Sequence, residues 1–265
     1  MAASDGLLSF GGHLEVLRQM LFRILGVTLV FSCIVFCFKA LTFEILLAPS
    51  DSSFVTYEIV ENLMQQIDKS FVFEQFNVDL IATDLSSQFV THLTTSIYLG
   101  LLCASPFIIY ELFRFITPAL LENERKYSTK IVVSVYALFL IGMLMSYYVL
   151  FPISFRFLGT YSVANKVHTM ITLDSYISTF ISLTLLLGIV FQLPVITFML
   201  AKMGILNAPM MSKYRKHALI IIMLIAAIIT PPDVLTLILI TFPLYGLYEA
   251  SICLIKFRIP VNHLI

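Results

Sequence analysis

Residues 131–155 read "IVVSVYALFLIGMLMSYYVLFPISF", with no Asp, Glu, Lys or Arg anywhere in the run. A helix needs roughly 20 apolar residues to cross about 30 Å of hydrocarbon, and this run exceeds that length. Two further charge-free runs, 175–201 and 85–110, do the same. Of the 265 residues 59% are apolar and 12% charged, about half the charged share of an average soluble domain. The sixteen basic and sixteen acidic residues cancel, so no overall charge recruits nucleic acid. The chain reads as an all-α, polytopic membrane protein.

Six spans follow from the apolar runs. The first covers 24–38 and can extend past Lys39 toward Leu47; the next three cover 89–110, 131–152 and 175–198. A final apolar block, 217–255, is interrupted by "TPPD" (Thr230 to Asp233). Both prolines lack an N–H and Pro232 clashes with a preceding helical turn, so a turn at one membrane face is expected there. That leaves a fifth span near 217–230 and a sixth near 234–252, both short for the hydrocarbon thickness.

Twelve Lys and Arg side chains fall on one side of these spans, against Lys39, Lys69, Arg156 and Lys166 on the other. The positive-inside rule puts both termini in the cytoplasm. The longest outer loop, Lys39 to Asp84, is acidic. Within it "FVTYEIVENLMQQID" has the three-and-four spacing of an amphipathic helix, and "FVFEQFNVDL" alternates as an extended segment does. The N-terminal sequence lacks the small-residue cleavage site of a secretory signal. With no internal repeat or detachable soluble region, residues 1–265 read as one membrane domain.

Catalytic motifs are absent: the glycines form neither GxGxxG nor GxxxxGK, and there is no HExxH or GxSxG. Cys33, Cys37, Cys103 and Cys253 lie in apolar segments without accompanying ligands, so no metal, cofactor or enzymatic activity is expected. The informative residues are polar groups at membrane boundaries: Glu111, Glu124, Gln192, Asp233 and Glu249. An ionisable group at membrane depth is costly and a functional candidate. Gln192, in "FQLP", can serve as interhelical glue or as a ligand contact. Asp233 can simply cap the sixth span, and Glu249 can pair with Lys256 or Arg258. A small secondary transporter using Glu111, Gln192 and Asp233 is one alternative reading; a structural membrane assembly factor is another.

Seven segments occur in an order that resembles the TatC family, the polytopic receptor subunit of the twin-arginine protein translocase. They are "HLEVLR" (13–18), "SPFIIYELFRFITPALLENERK" (105–126), "FP" (151–152), "FQLPV" (191–195), "YRKHA" (214–218), "TPPD" (230–233) and "P-LYGLYE" (243–249). The resemblance implies Sec-independent transport of folded proteins across a bacterial inner (or organellar) membrane, driven by the proton-motive force. It implies recognition of twin-arginine signal peptides, and assembly with single-span TatA- or TatB-like partners and further copies of this chain. Carboxylates suit such a signal because they accept a guanidinium bidentately. On this resemblance Glu124 is the signal contact, Phe115 and Pro118 its support, with Pro106 and Pro118 keeping the loop from being one continuous helix. Glu15, Arg18 and Arg125 complete the signal-binding set. Gln192, Pro231, Pro232 and Asp233 are expected to present polar groups to a docking partner helix. Two departures stand out. The family's second arginine-contacting Glu is Val16 here, with Glu15 one residue earlier, about 100° around a helix: either Glu15 reaches the site from a slightly turned helix, or Glu124 works alone. Leu237 also replaces the glutamine usual after "TPPD".

Overall fold

The computed structural model describes residues 10–67, 76, 78–116, 128–162, 169–229 and 233–258. Its helices follow the apolar runs: α1 (Phe10–Cys37), α2 (Lys39–Leu47), α3 (Val55–Ile67), α4 (Ser87–Ile116), α5 (Ser128–Met145), α6 (Phe151–Thr160), α7 (Leu173–Val190), α8 (Leu193–Lys202), α9 (Ala208–Lys213), α10 (Arg215–Ile229) and α11 (Val234–Arg258). Five stretches are long and apolar enough to cross a membrane: Leu14–Cys37, Ser87–Phe115, Ile131–Thr160, Leu173–Lys202 and Val234–Phe257. A further apolar helix, α10, stands where the fifth span is expected; it has 15 residues and rises only about 22 Å, shorter than those five.

Two expectations need correcting. The last span is not short: α11 has 25 residues and carries Pro243 in its interior, rising about 37 Å. Likewise Pro106 lies inside α4, which continues to Ile116, so Pro106 does not end the helix and Phe115 belongs to its last turn. The reason is common to both. A proline removes one helical hydrogen bond, but apolar surroundings offer the backbone no water as an alternative, and the helix carries through.

By backbone contacts the chain divides into two compact units, Met1–Lys39 with His92–Tyr136 and Ala40–Thr91 with Ala137–Ile265. In the first, α1 crosses α4 at small residues. A Cβ on Gly100 would lie 2.6 Å from the backbone N of Ser32, and Ser96, Gly100 and Ala104 recur every fourth residue of α4, all buried. Such spacing lets helix backbones approach closely in a membrane, where dispersion replaces the hydrophobic effect. Phe36 stacks on His92 at 4.2 Å between ring centroids.

The second unit repeats that device. Gly142 and Ser146 of the α5 line face Thr184 and Gly188 of α7: the two hydroxyls lie 3.2 Å apart, and a Cβ on Gly142 would sit 2.7 Å from the Leu187 carbonyl oxygen. Just beyond, a π turn (Ser146–Leu150) joins α5 to α6, with the Phe151 N–H reaching back to the Ser146 carbonyl. Pro152 accounts for what happens next. It has no N–H for the Tyr148 carbonyl, and the Thr56 hydroxyl of α3 donates to that carbonyl instead. The Tyr57 hydroxyl is shared between the Pro49 carbonyl (2.8 Å) and the Pro152 carbonyl (3.1 Å). Burial pushes the Tyr57 hydroxyl pKa up, with Arg156 opposing, so it stays a donor at physiological pH. The amphipathic helix read from 54–68 is therefore α3, its Tyr57 face buried and Val55, Ile59 and Leu63 exposed.

The end of α2 is closed by side chains, as orphan helix carbonyls require. Tyr147 donates to the Ile45 carbonyl and Tyr176 to the Leu46 carbonyl, each at 2.8 Å. Two-residue strands β1 (Leu80–Ile81) and β2 (Ile171–Thr172) pair in parallel. Of the segment expected to be extended, Phe76 and residues 78–80 are described, and only its last residue joins a strand.

Candidate functional site

On α1, Glu15 and Arg18 are one turn apart and exposed. The Glu15 Oε1 accepts from Arg18 at 2.8 Å and from Gln19 at 3.2 Å, so the displaced carboxylate is held by its own helix. Val16, at the position of the absent glutamate, is exposed. Phe115 is half-buried on the last turn of α4. Glu124, Pro118 and Arg125 lie outside the described residues; they belong to the connection between α4 and α5.

One turn before Phe115 is Glu111, which is 3% exposed and the one Asp, Glu, Lys or Arg that is buried among the described residues. Its carboxylate faces Arg23 of α1 at 3.4 Å and Arg114 of its own helix at 3.6 Å. A buried carboxylate without a cation would cost several kcal/mol, so the pairing explains its presence at a membrane boundary. The sequence marks Glu111 as unusual, but its partners are legible only once α1 is packed on α4.

Gln192 stands at the turn between α7 and α8. Its own backbone N–H bonds to the Ile189 carbonyl at 3.0 Å, one residue short of the α-helical partner. The Gly188 carbonyl is thereby released, and the Gln192 side-chain amide fills it at 3.2 Å. Gln192 is thus glue within its own helix rather than across helices, while its Oε1 is buried without a hydrogen-bond partner. Asp233 caps α11: Oδ1 accepts from the Thr236 N–H at 2.6 Å. Asp233 Oδ2 and the hydroxyl of Thr236, itself fully buried, have no hydrogen-bond partner among the described residues. Pro231 and Pro232 lie outside the described residues.

Gln192 and Asp233 do not share one site. The apolar cluster of Ala201, Ala208, Met211, Ile252 and Ile255 joins the end of α8 to the end of α11. Counting back nine residues from Ala201 and from Ile252 sets Gln192 at the level of Pro243, and Asp233 is ten residues further, about 15 Å along α11. A transporter site built from Glu111, Gln192 and Asp233 gains nothing here, because Glu111 is engaged by two arginines and Asp233 by a helix start. Among the described residues no His, Cys, Asp and Glu cluster could hold a metal ion.

Glu249 is not paired with Lys256, and the side chain of Arg258 lies outside the described residues. Arg215 at the start of α10 grips Glu249 with two nitrogens, at 2.8 and 2.9 Å, and Tyr245 donates to the same carboxylate at 3.0 Å. Lys256 is seven residues, about 10 Å, along the helix, whereas α10 packs directly on α11. The segments "YRKHA" and "LYGLYE" thus meet through one forked ion pair, which sequence distance conceals.

Comparison with known proteins agrees with this arrangement. The family model described as "Sec-independent protein translocase protein (TatC)" matches residues 12–243. The TatC protein of Blattabacterium is 32% identical over 92% of this chain and 93% of its own length; that of Escherichia coli K12 is 30% identical over 93% and 88%. A crystal structure of the twin-arginine translocase receptor TatC superposes with a TM-score of 0.72 at 30% identity, covering 92% of this chain and 98% of that one. A second, in the detergent DDM, gives 0.75 at 31% identity. The bacterial relatives point to the inner membrane as the site of a multi-pass protein. The chain belongs to the TatC family and is a component of the Sec-independent, twin-arginine protein translocase.

Proposed function

We propose that this chain is the translocase subunit that binds twin-arginine signal peptides at its cytoplasmic surface, with Glu124 as the principal acceptor and Glu15 as the second. One observation carries the reading. The segment 13–18 and the described part of the second segment, 105–116, far apart in sequence, belong to the same compact unit, and their helices are tied by Arg23 to Glu111 and by Ser32 to Gly100. The Glu15 Oε2 has no partner among the described residues, which leaves an acceptor beside Arg18. Phe115 supports the loop from the last turn of α4, and Pro118 and Arg125 belong to the same recognition segment. The chain works as one membrane domain with both termini cytoplasmic, by recognition and assembly rather than catalysis.

The second half of the proposal concerns assembly with single-span TatA- or TatB-like subunits and with further copies of the chain. Family membership supports this reading. The oxygens of Gln192, Asp233 and Thr236 are buried within the chain, so a partner helix docks on the surface around them, near "TPPD" and along span four, rather than on those atoms.

The test is binding of a twin-Arg signal peptide, with its twin-Lys version as control, to purified protein at moderate salt, where surface attraction is screened. Glu124→Gln keeps size and removes charge, so affinity should fall roughly tenfold to a hundredfold. Affinity indifferent to that change overturns the receptor assignment.

A further inference from the structure

Resting on the signal-receptor reading above, we infer that Glu111 and Arg23 form a positioning latch: their ion pair fixes the tip of α1, which carries Glu15 and Arg18, against the end of α4 from which the Glu124 segment departs. Neither residue is proposed to touch the signal.

The inference starts from how little else holds α1. Of its described side chains only Met20 and Ser32 are buried. The close crossing at Ser32 and Gly100 is 17 residues from Glu15, an arm of about 25 Å. A 10° tilt about that crossing carries the Glu15 carboxylate roughly 4 Å, whereas a charge-assisted hydrogen bond holds over a range of a few tenths of an ångström near 2.8 Å. Met20 is buried as well, but an apolar contact is non-directional and lets the helix slide, whereas the Arg23 ion pair fixes a direction. With Arg23 pinned the free arm shrinks to eight residues, about 12 Å, and the same tilt moves the carboxylate half as far. Arg23 meets Glu111 at 3.4 Å across the two helices. Arg114, at 3.6 Å on the other carboxylate oxygen, belongs to the same helix as Glu111 and cannot restrain α1. The interhelical half of the cluster is therefore the part that positions the site.

This account makes a prediction that simple charge effects reverse. Removing Glu111 makes the region more positive and removing Arg23 makes it more negative, so a field acting on an arginine-rich signal would weaken binding in one variant and strengthen it in the other. A latch is lost in both. Signal-peptide affinity should fall about fivefold to tenfold in Glu111→Gln and in Arg23→Gln alike. The double variant should be no worse than either single one, and the reversed pair Arg23→Glu with Glu111→Arg should recover most of the affinity. Pulsed electron–electron spin distances between labels at Leu14→Cys and Leu112→Cys, in a background with the native cysteines replaced, should broaden in both single variants and narrow again in the reversed pair. Opposite affinity changes in the two single variants, or unchanged distances, overturn the latch. Glu124→Gln, measured in parallel, keeps the outcomes apart: affinity that ignores Glu124 removes the receptor reading, while affinity that responds to Glu124 but not to Glu111 or Arg23 removes the latch alone.

Discussion

Gly142→Ala should destabilise the protein in a way that no side-chain truncation nearby can repair. The added Cβ would lie 2.7 Å from the Leu187 carbonyl oxygen and 2.9 Å from Phe191 Cγ. An ordinary contact begins at about 3.4 Å, so α5 and α7 must separate by roughly 0.7 Å. The backbone carbonyl cannot rotate away, because it accepts the Phe191 N–H at 2.9 Å. Overpacking of this kind costs about 1–3 kcal/mol. The separation also opens the 3.2 Å contact between Ser146 and Thr184, worth about 0.6 kcal/mol for a hydrogen bond between membrane helices. At about 2–4 °C per kcal/mol for a chain of this size, the midpoint should drop by roughly 3–14 °C. Gly188→Ala is the informative comparison, since its Cβ would meet the ring of Phe139, at 2.6 Å from Cε2. Phe139→Leu should therefore rescue Gly188→Ala, whereas Phe191→Leu should not rescue Gly142→Ala. Fluorescence-detected size exclusion after heating in detergent is the suitable assay, because the native cysteines are exposed and would react with a thiol dye before unfolding. Wild-type stability in Gly142→Ala, or its recovery on trimming Phe191, would refute the close backbone crossing.

Three further expectations follow from the other contacts. Tyr57→Phe removes the donor shared by the Pro49 and Pro152 carbonyls and should cost about 1–3 kcal/mol; faster limited proteolysis between α2 and α4 would report it, and an unchanged rate would count against α3 docking through Tyr57. Arg215→Lys keeps the charge but loses the fork on Glu249; because both side chains are partly exposed, a loss below about 1 kcal/mol is expected in thermal unfolding, and a loss above twice that would contradict solvent screening of the pair. A membrane-impermeant thiol reagent added outside intact cells should label Ser53→Cys but not Asn207→Cys, both in a background with the native cysteines replaced; external labelling of Asn207→Cys would break the orientation drawn from the basic residues.

Much of this protein is written in one dimension. The charge-free runs set where the long helices lie, because a span must satisfy its own backbone hydrogen bonds in lipid and needs only length and apolarity to do so. The spacing in 54–68 foretold α3, and the seven ordered segments foretold the family. What eluded the sequence depends on which helix faces which. Pro106 and Pro243 look like breakers until the surrounding apolar medium is considered. Glu249 is near Lys256 in sequence but pairs with Arg215, because helix packing puts distant residues within 3 Å while two helical turns hold close ones about 10 Å apart. Gly142, Gly188 and Gly100 are unremarkable letters until a neighbouring backbone is seen against each of them. Glu111 could be singled out as a costly intramembrane acid, but that Arg23 offsets its charge was decided by tertiary structure alone, since an ion pair is a matter of distance in space and sequence records only distance along the chain.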